Sequence, residues 1–254
     1  MELEGISQEI LRRVREELNR EERKRPRADL PVSDIPARLE HSLLNPDTSA
    51  SKILEGCVLA KKYGIAALCV APYHVSTAVE QLYGTRTAVC AAVGFPHGCM
   101  STAAKVTEIR ECTNLGAKEI DVSLNVLAVK SKDYASARKD LEACVDAANG
   151  RALVKAVFEH CLFTDEEKKY VLEMIPQCGA GFLKIQNMLS GHGARVQELQ
   201  LVREILGDAV RIKIDGGVKT LEKAVELFSV GADRIGLTAT ASICDEVLTC
   251  ARSE

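Results

Sequence analysis

The sequence predicts a single α/β domain, a closed parallel (β/α)8 barrel with one extra amphipathic helix in front of it. Three observations carry that prediction. Eight strand-like runs alternate with helical stretches over about 218 residues. The pairs Gly116-Ala117, Gly179-Ala180 and Gly231-Ala232 each close a helix just before a strand, as C-cap glycines do. The G-x-G-x-x-G expected after the first strand of an open, doubly wound sheet is absent.

Residues 1–25 differ in pattern from the rest of the chain. Leu3, Ile6, Ile10, Leu11, Val14 and Leu18 recur at three- and four-residue intervals, the apolar stripe of an amphipathic helix. The other face is dense in Glu and Arg, and Arg23-Lys24-Arg25 sits where a helix dipole favours cations. Pro26, Pro31 and Pro36 then mark residues 26–36 as a linker, and the barrel occupies 37–254. Strands are expected at 38–41, 66–71, 88–95, 119–125, 152–160, 182–187, 211–215 and 234–237. Helices are expected at 49–63, 103–115, 135–148, 165–178 and 221–230.

Composition narrows the function. Of 254 residues 46% are apolar, enough for a large core, and a net charge of -3 gives no general attraction to nucleic acid or anionic membranes. No apolar run approaches the roughly 20 residues of a membrane span. The first residues lack a signal-peptide core, so a cytoplasmic protein is expected. The ten cysteines include no C-x-x-C pair and read as reduced, structural thiols. The histidines show neither H-x-x-x-H nor H-E-x-x-H, so neither a protein-built metal site nor a cofactor is expected. His160 reads as a loop histidine without a chemical role.

The stretch Gly179-Ala-Gly-Phe-Leu-Lys-Ile-Gln-Asn187 places one lysine inside a run that otherwise looks built for burial. An unpaired ammonium is costly there, but a desolvated amine near a strand end can attack a carbonyl. In a barrel the chemistry sits at the C-terminal strand ends. Asp121 on the fourth strand, Lys184 on the sixth and Lys213 on the seventh all stand there. Two lysines facing one cavity repel, so one is expected to lose its proton near neutral pH and act as a nucleophile. The other lysine and the aspartate can then move protons. Glycines after the seventh and eighth strands, Gly216, Gly217 and Gly236, lie where barrels commonly bind phosphate.

With these residues in place, the chain resembles the deoxyribose-phosphate aldolase family of class I aldolases, enzymes with a TIM barrel, over roughly residues 36–245. The matching segments are Leu39-Glu-His-Ser-Leu-Leu44 with Pro46-Asp47, Leu68-Cys-Val-Ala-Pro72, Val93-Gly-Phe-Pro-His-Gly98 and Gly116-Ala-Lys-Glu-Ile-Asp121. Leu153-Val-Lys-Ala-Val-Phe-Glu159, Phe182-Leu-Lys184, Lys213-Ile-Asp-Gly-Gly217 and Arg234-Ile-Gly236 complete the set. The resemblance implies a metal-independent lyase with Lys184 as the Schiff-base lysine, Lys213 as the lysine that perturbs it and Asp121 as the proton relay. It implies reversible cleavage of 2-deoxyribose 5-phosphate to acetaldehyde and glyceraldehyde 3-phosphate, a catabolic reaction, and a homodimer. Gly216, Gly217, Gly236, Thr238 and Asn187 would hold the sugar phosphate. Residues 1–25 can be read as an extra helix that caps the barrel or packs in a dimer. With their proline-containing linker they also resemble the encapsulation peptides of bacterial microcompartment enzymes, which implies a shell as partner.

Departures fall in the substrate-facing loops. The family usually has Thr-Ser-Thr-Gly after its Schiff-base lysine, and here Ile185-Gln186-Asn187-Met188 stands in that place. A small residue usually precedes the glycine pair, and here stands Asp215; the expected Ser-Ser after the last strand is Thr238-Ala239. Two other readings therefore stand beside the standard reaction: a Schiff-base aldolase for another aldehyde, with or without a phosphate, or a weakly active barrel kept for binding or assembly.

Overall fold

The structure, a computed structural model, describes residues 30–189 and 191–251. The helix expected over 1–25 and the first residues of the linker lie outside them. Residues 30–36 of that linker include a 3-10 turn at Val32–Asp34, with a second just after it at Pro36–Arg38. Ile35, between the two turns, is fully buried.

Eight parallel strands close in the order β1 to β8, with β8 pairing back on β1. They are β1 (Leu39–Leu43), β2 (Ala67–Val70), β3 (Ala88–Val93), β4 (Glu119–Ser123), β5 (Leu153–Glu159), β6 (Phe182–Gln186), β7 (Arg211–Asp215) and β8 (Arg234–Leu237). The fold is the (β/α)8 TIM barrel that the alternation predicts. The largest shifts are of two residues: β1 runs beyond the expected His41, and β3 and β4 stop at Val93 and Ser123, two residues before their expected ends.

Nine helices of the described residues lie between or after the strands: α1 (Ala50–Tyr63), α2 (Val75–Leu82), α3 (Thr102–Asn114), α4 (Val126–Lys130), α5 (Tyr134–Ala148), α6 (Asp165–Gln177), α7 (Val196–Leu206), α8 (Leu221–Val230) and α9 (Thr240–Cys250). Their starts are written in the sequence. Ser49, Ser101, Asp133 and Thr220 accept hydrogen bonds from first-turn amides, and Thr164 with Glu167 forms a reciprocal capping box. Gly231, which ends α8, has φ of 119°, a conformation that favours glycine. Helices α2, α4, α7 and α9 are those the apolar spacing does not single out. No helix of the described residues is long and apolar enough to cross a membrane.

Strand alternation divides the core into two. Outward-facing side chains such as Leu68, Ile120, Val154, Leu183, Ile212 and Ile235 pack under the helices in one apolar cluster. The interior is different. Barrel interiors are ordinarily filled by bulky branched residues, whereas here β2 and β3 contribute only the small residues Ala67, Cys69, Cys90 and Ala92. The space is taken by charged side chains from the other strands. A second buried ion pair lies outside the barrel lumen: Lys105 of α3 meets Asp140 of α5 at 2.8 Å and donates to the Ser123 carbonyl at 2.8 Å.

Candidate active site

The interior charges come from strand positions of one parity. Glu40 on β1, Glu119 and Asp121 on β4, Lys155 on β5, Lys184 on β6, Lys213 and Asp215 on β7 and Arg234 on β8 all turn inward. Among these residues four cations thus face four carboxylates. Register fixes who meets whom, because Asp121 lies opposite Lys155 and Lys184 opposite Lys213.

Asp121 is the hub. Its Oδ2 accepts from Lys184 Nζ and Lys213 Nζ, each at 2.9 Å, and its Oδ1 accepts from Lys155 Nζ at 2.9 Å and from the Cys90 thiol at 3.1 Å. Lys155 also lies 2.7 Å from Glu119 and 3.1 Å from Glu40, and Lys213 lies 2.6 Å from Glu40. Arg234 bridges Glu40 and Glu119 at 3.0 and 2.7 Å, and its guanidinium rests 5.3 Å from the centre of the Phe182 ring. Burying an ion costs several kcal/mol, so each of these charges is tolerable only because it is paired and hydrogen-bonded.

Above this network, at the C-terminal strand ends, opens a cavity of about 260 Å³. Its wall includes Ser42, Phe95, Gln186, Asp215, Lys219 and Leu237. All five residues expected to hold substrate, Asn187, Gly216, Gly217, Gly236 and Thr238, line it as well. Gly216 and Gly217 have φ of 98° and 70°. The loop after β6 is tied to the barrel by two glutamates. Glu159 accepts from Gln186 Nε2 at 3.0 Å and from the Leu189 amide at 3.1 Å, and Glu198 accepts from Asn187 Nδ2 at 2.6 Å. His160 lies 3.6 Å from Glu198 through Nδ1.

Asp215 resolves the question its sequence position raised. Its carboxylate turns into the barrel, with Oδ2 at 2.7 Å from Lys184 Nζ and Oδ1 at 3.7 Å from Lys213 Nζ. Its strand partner is Gly236, where a side chain would collide with the Asp215 carboxylate.

Electrostatics corrects one expectation. Lysine repulsion does not leave a neutral amine in the free protein. Burial opposes the charge on Lys184 and is the largest influence, but Asp121 and Asp215 outweigh it together with the repulsion from Lys213. The Lys184 pKa is therefore raised above the ordinary lysine value, and that of Lys213 is raised well above it against the same burial. For Asp121 burial again works against the charge, yet Lys155, Lys184 and Lys213 hold its pKa well below the usual carboxylate range. Glu40, equally buried, is brought down to about 2 by Lys155 and Lys213.

Sequence reasoning brought Lys184, Lys213 and Asp121 to one place, and the structure puts them in contact. It did not assign Glu40, Glu119, Lys155, Arg234 or Cys90. A signal was present: Lys155 interrupts an apolar strand just as Lys184 does, and Glu40 and Arg234 share its inward parity.

A closed barrel whose mouth presents lysines and carboxylates beneath a small cavity defines an enzyme class as well as a fold, and the relatives agree on it. A deoxyribose-phosphate aldolase of Listeria welshimeri serovar 6b is 38% identical over 209 residues, covering 82% of this chain and 94% of its own. Deoxyribose-phosphate aldolase 1 of Bacillus licheniformis is 39% identical over 212 residues, 84% of this chain and 95% of its own. The solved structure of "QR15, an Aldolase" superposes with a TM-score of 0.82 at 30% identity, covering 87% of this chain and 98% of that one. A family model described as "Histidine biosynthesis protein" matches residues 140–252, the C-terminal part of the barrel. The protein is a carbon–carbon lyase, an aldolase. It belongs to the deoxyribose-phosphate aldolase family.

Proposed function

We propose that this aldolase works through a Schiff base on Lys184 and that its reaction is the reversible cleavage of 2-deoxyribose 5-phosphate to acetaldehyde and glyceraldehyde 3-phosphate. The observation that carries the reading is the convergence of Lys184, Lys213 and Asp121 directly beneath the cavity at the C-terminal strand ends. On substrate entry Lys184 gives up a proton to its carboxylate neighbours, attacks the carbonyl and loses water to form the iminium. The iminium then draws the electrons of the adjacent carbon–carbon bond. Lys213 keeps positive charge beside the developing adduct, and Asp121, bonded to both nitrogens, relays protons between them.

The phosphate half of the reading rests on the rim. Gly216 and Gly217 both take positive φ there, and Lys219 also lines the cavity. Helix α9 begins at Thr240 with no side-chain cap, leaving its first amides to meet an anion near Thr238. Borohydride reduction in the presence of acetaldehyde tests the chemistry. A stable adduct on Lys184 is expected, lost in Lys184→Arg; no adduct on any lysine would instead support a binding or assembly role.

A second reading is favoured by Gln186 and Asn187, which put amides on the cavity wall where the family usually has hydroxyls and a glycine to hold the sugar phosphate. It assigns the same chemistry to an unphosphorylated β-hydroxy aldehyde. Comparing kcat/KM for 2-deoxyribose with that for its 5-phosphate decides between them. We also propose that residues 1–25 are an address for a protein shell, on the strength of their apolar stripe. Fusion of these residues to a fluorescent protein should then give bright particles in cells that make such shells, and diffuse signal would refute it.

A further inference from the structure

Asp121 and Asp215 both touch Lys184, but they stand in different places. Asp121 is fully buried below the lysine, and both of its oxygens are taken, Oδ1 by Lys155 and Cys90 and Oδ2 by Lys184 and Lys213. Asp215 lies on the cavity side. Its Oδ2 meets Lys184, its Oδ1 receives no hydrogen bond, and the side chain lines the cavity. The absence of a side chain at Gly236 leaves the room that Oδ1 occupies.

Cleaving a β-hydroxy aldehyde held as an imine requires a base at the β-oxygen. That oxygen is four bonds from the imine nitrogen, so a folded adduct brings the two to about 3 Å, hydrogen-bonding distance. A carboxylate that touches the nitrogen from the cavity side can therefore reach the oxygen too. Asp121, beneath the nitrogen and already fully engaged, cannot. The geometry points to Asp215 as a second catalytic residue, the base that takes the proton of the substrate's β-hydroxyl as the carbon–carbon bond breaks.

This inference rests on the Schiff-base reading of Lys184. In the step, the O–H bond gives its proton to Asp215 and its electron pair becomes the second bond of the new carbonyl. The bond between the α- and β-carbons breaks, its electrons form the enamine double bond, and the iminium π pair settles on nitrogen. In the aldol direction Asp215 returns the proton. The position the family usually fills with a small residue thus carries chemistry in this chain.

The test separates imine formation from bond cleavage. Asp215→Asn keeps the shape and removes the base, and Asp215→Ser restores a small residue in case the amide is poorly accommodated. Each is compared with the parent for borohydride trapping of acetaldehyde on Lys184. Each is also assayed for cleavage of 2-deoxyribose 5-phosphate and of 3-hydroxybutanal, the latter bearing no phosphate. Both variants should keep the Lys184 adduct, while cleavage of both compounds falls by roughly 10²- to 10⁴-fold, the usual contribution of a general base. Cleavage within about threefold of the parent in either variant would put the base elsewhere and overturn the proposal. Loss of adduct and cleavage together in both variants would mark Asp215 as structural and overturn it as well. If the parent forms no adduct on Lys184, the Schiff-base reading fails and the proposal falls with it. If the parent forms the adduct but cleaves neither compound, only the Asp215 proposal falls.

Discussion

The Nζ of Lys184 lies 2.7 Å from a carboxylate oxygen of Asp215, which lines the cavity that substrate must enter. The pairing has two consequences. It spares an incoming anion much of the repulsion of a bare carboxylate, because the charge is already matched by an ammonium. It also holds Lys184 protonated in the free enzyme, so reactivity begins with a proton transfer rather than with an amine ready to attack.

That pairing makes the Lys184 pKa sensitive to one substitution. Asp215 is one of the two carboxylates that raise it, so Asp215→Asn should lower it by removing an adjacent opposite charge. More neutral amine is then present at a given pH. The rate of acetaldehyde trapping, measured against pH, should shift its midpoint to lower pH. An unmoved midpoint would show that Asp121 alone governs the lysine.

Stability should have a plateau in pH bounded by the buried titratable groups. Glu40 titrates near 2 in the folded chain against an ordinary 4.5, so its contribution is fully present above about pH 5 and is lost as pH falls through about 2. That contribution is on the order of 3 kcal/mol. Asp121, also depressed, acts in the same direction. Lys184 and Lys213 are raised, so their share is complete below the ordinary lysine value of 10.5 and is lost as pH climbs through their folded values. Burial lowers the pKa of His41 and His160, which costs stability as pH falls below about 6.5. It raises the pKa of Cys57, Cys90, Cys112, Cys144, Cys178 and Cys244, which costs stability as pH rises above about 9. Tm should therefore stay nearly flat only between about pH 7 and about pH 8.5 and fall on both sides. A Tm that stays flat from about pH 5 to about pH 10 would contradict this account of the buried groups.

The buried pair between Lys105 and Asp140 gives a prediction away from the active site. Asp140→Ala leaves the fully buried Lys105 ammonium without its carboxylate, and should cost about 3–5 kcal/mol in urea unfolding. Thr102→Ala removes only one hydrogen bond to Asp140 and should cost about 1 kcal/mol. Equal losses in the two variants would mean that the ion pair is not what ties α3 to α5.

Gly236 should tolerate no side chain while Asp215 is in place. A Cβ at Gly236 collides with the Asp215 carboxylate and comes within 2.9 Å of Lys213 Cε. Gly236→Ala should destabilise the chain by about 1–3 kcal/mol, as overpacking does. Adding Asp215→Ser should recover much of that loss, so the double variant is more stable than the two single effects added together. Simple additivity would show that the clash lies elsewhere.

Much of the barrel could be read from the chain because its signals are local. Apolar runs of strand length, the caps at Ser49, Ser101, Asp133, Thr164 and Thr220, and the glycines before β4, β6 and β8 depend on neighbours a few residues away. The same locality exposed Lys184, since one lysine in a buried run is an anomaly that sequence shows directly. Helices such as α4, five residues long, and α7, which lacks a side-chain N-cap, carry weak local signals and emerge only from tertiary packing.

What sequence could not determine was the balance of charge. Coulomb interactions depend on distances between residues far apart in the chain, such as Lys213 and Glu40 at 2.6 Å across 173 positions. From the sequence, two lysines repel and one loses its proton. In the closed barrel, strand register and inward parity bring four carboxylates to four cations, and Lys184 stays charged until substrate disturbs the arrangement. The sequence determined the barrel and which lysine to examine. The tertiary structure decided that lysine's charge, because only closure of the sheet fixes which opposite charge stands beside it.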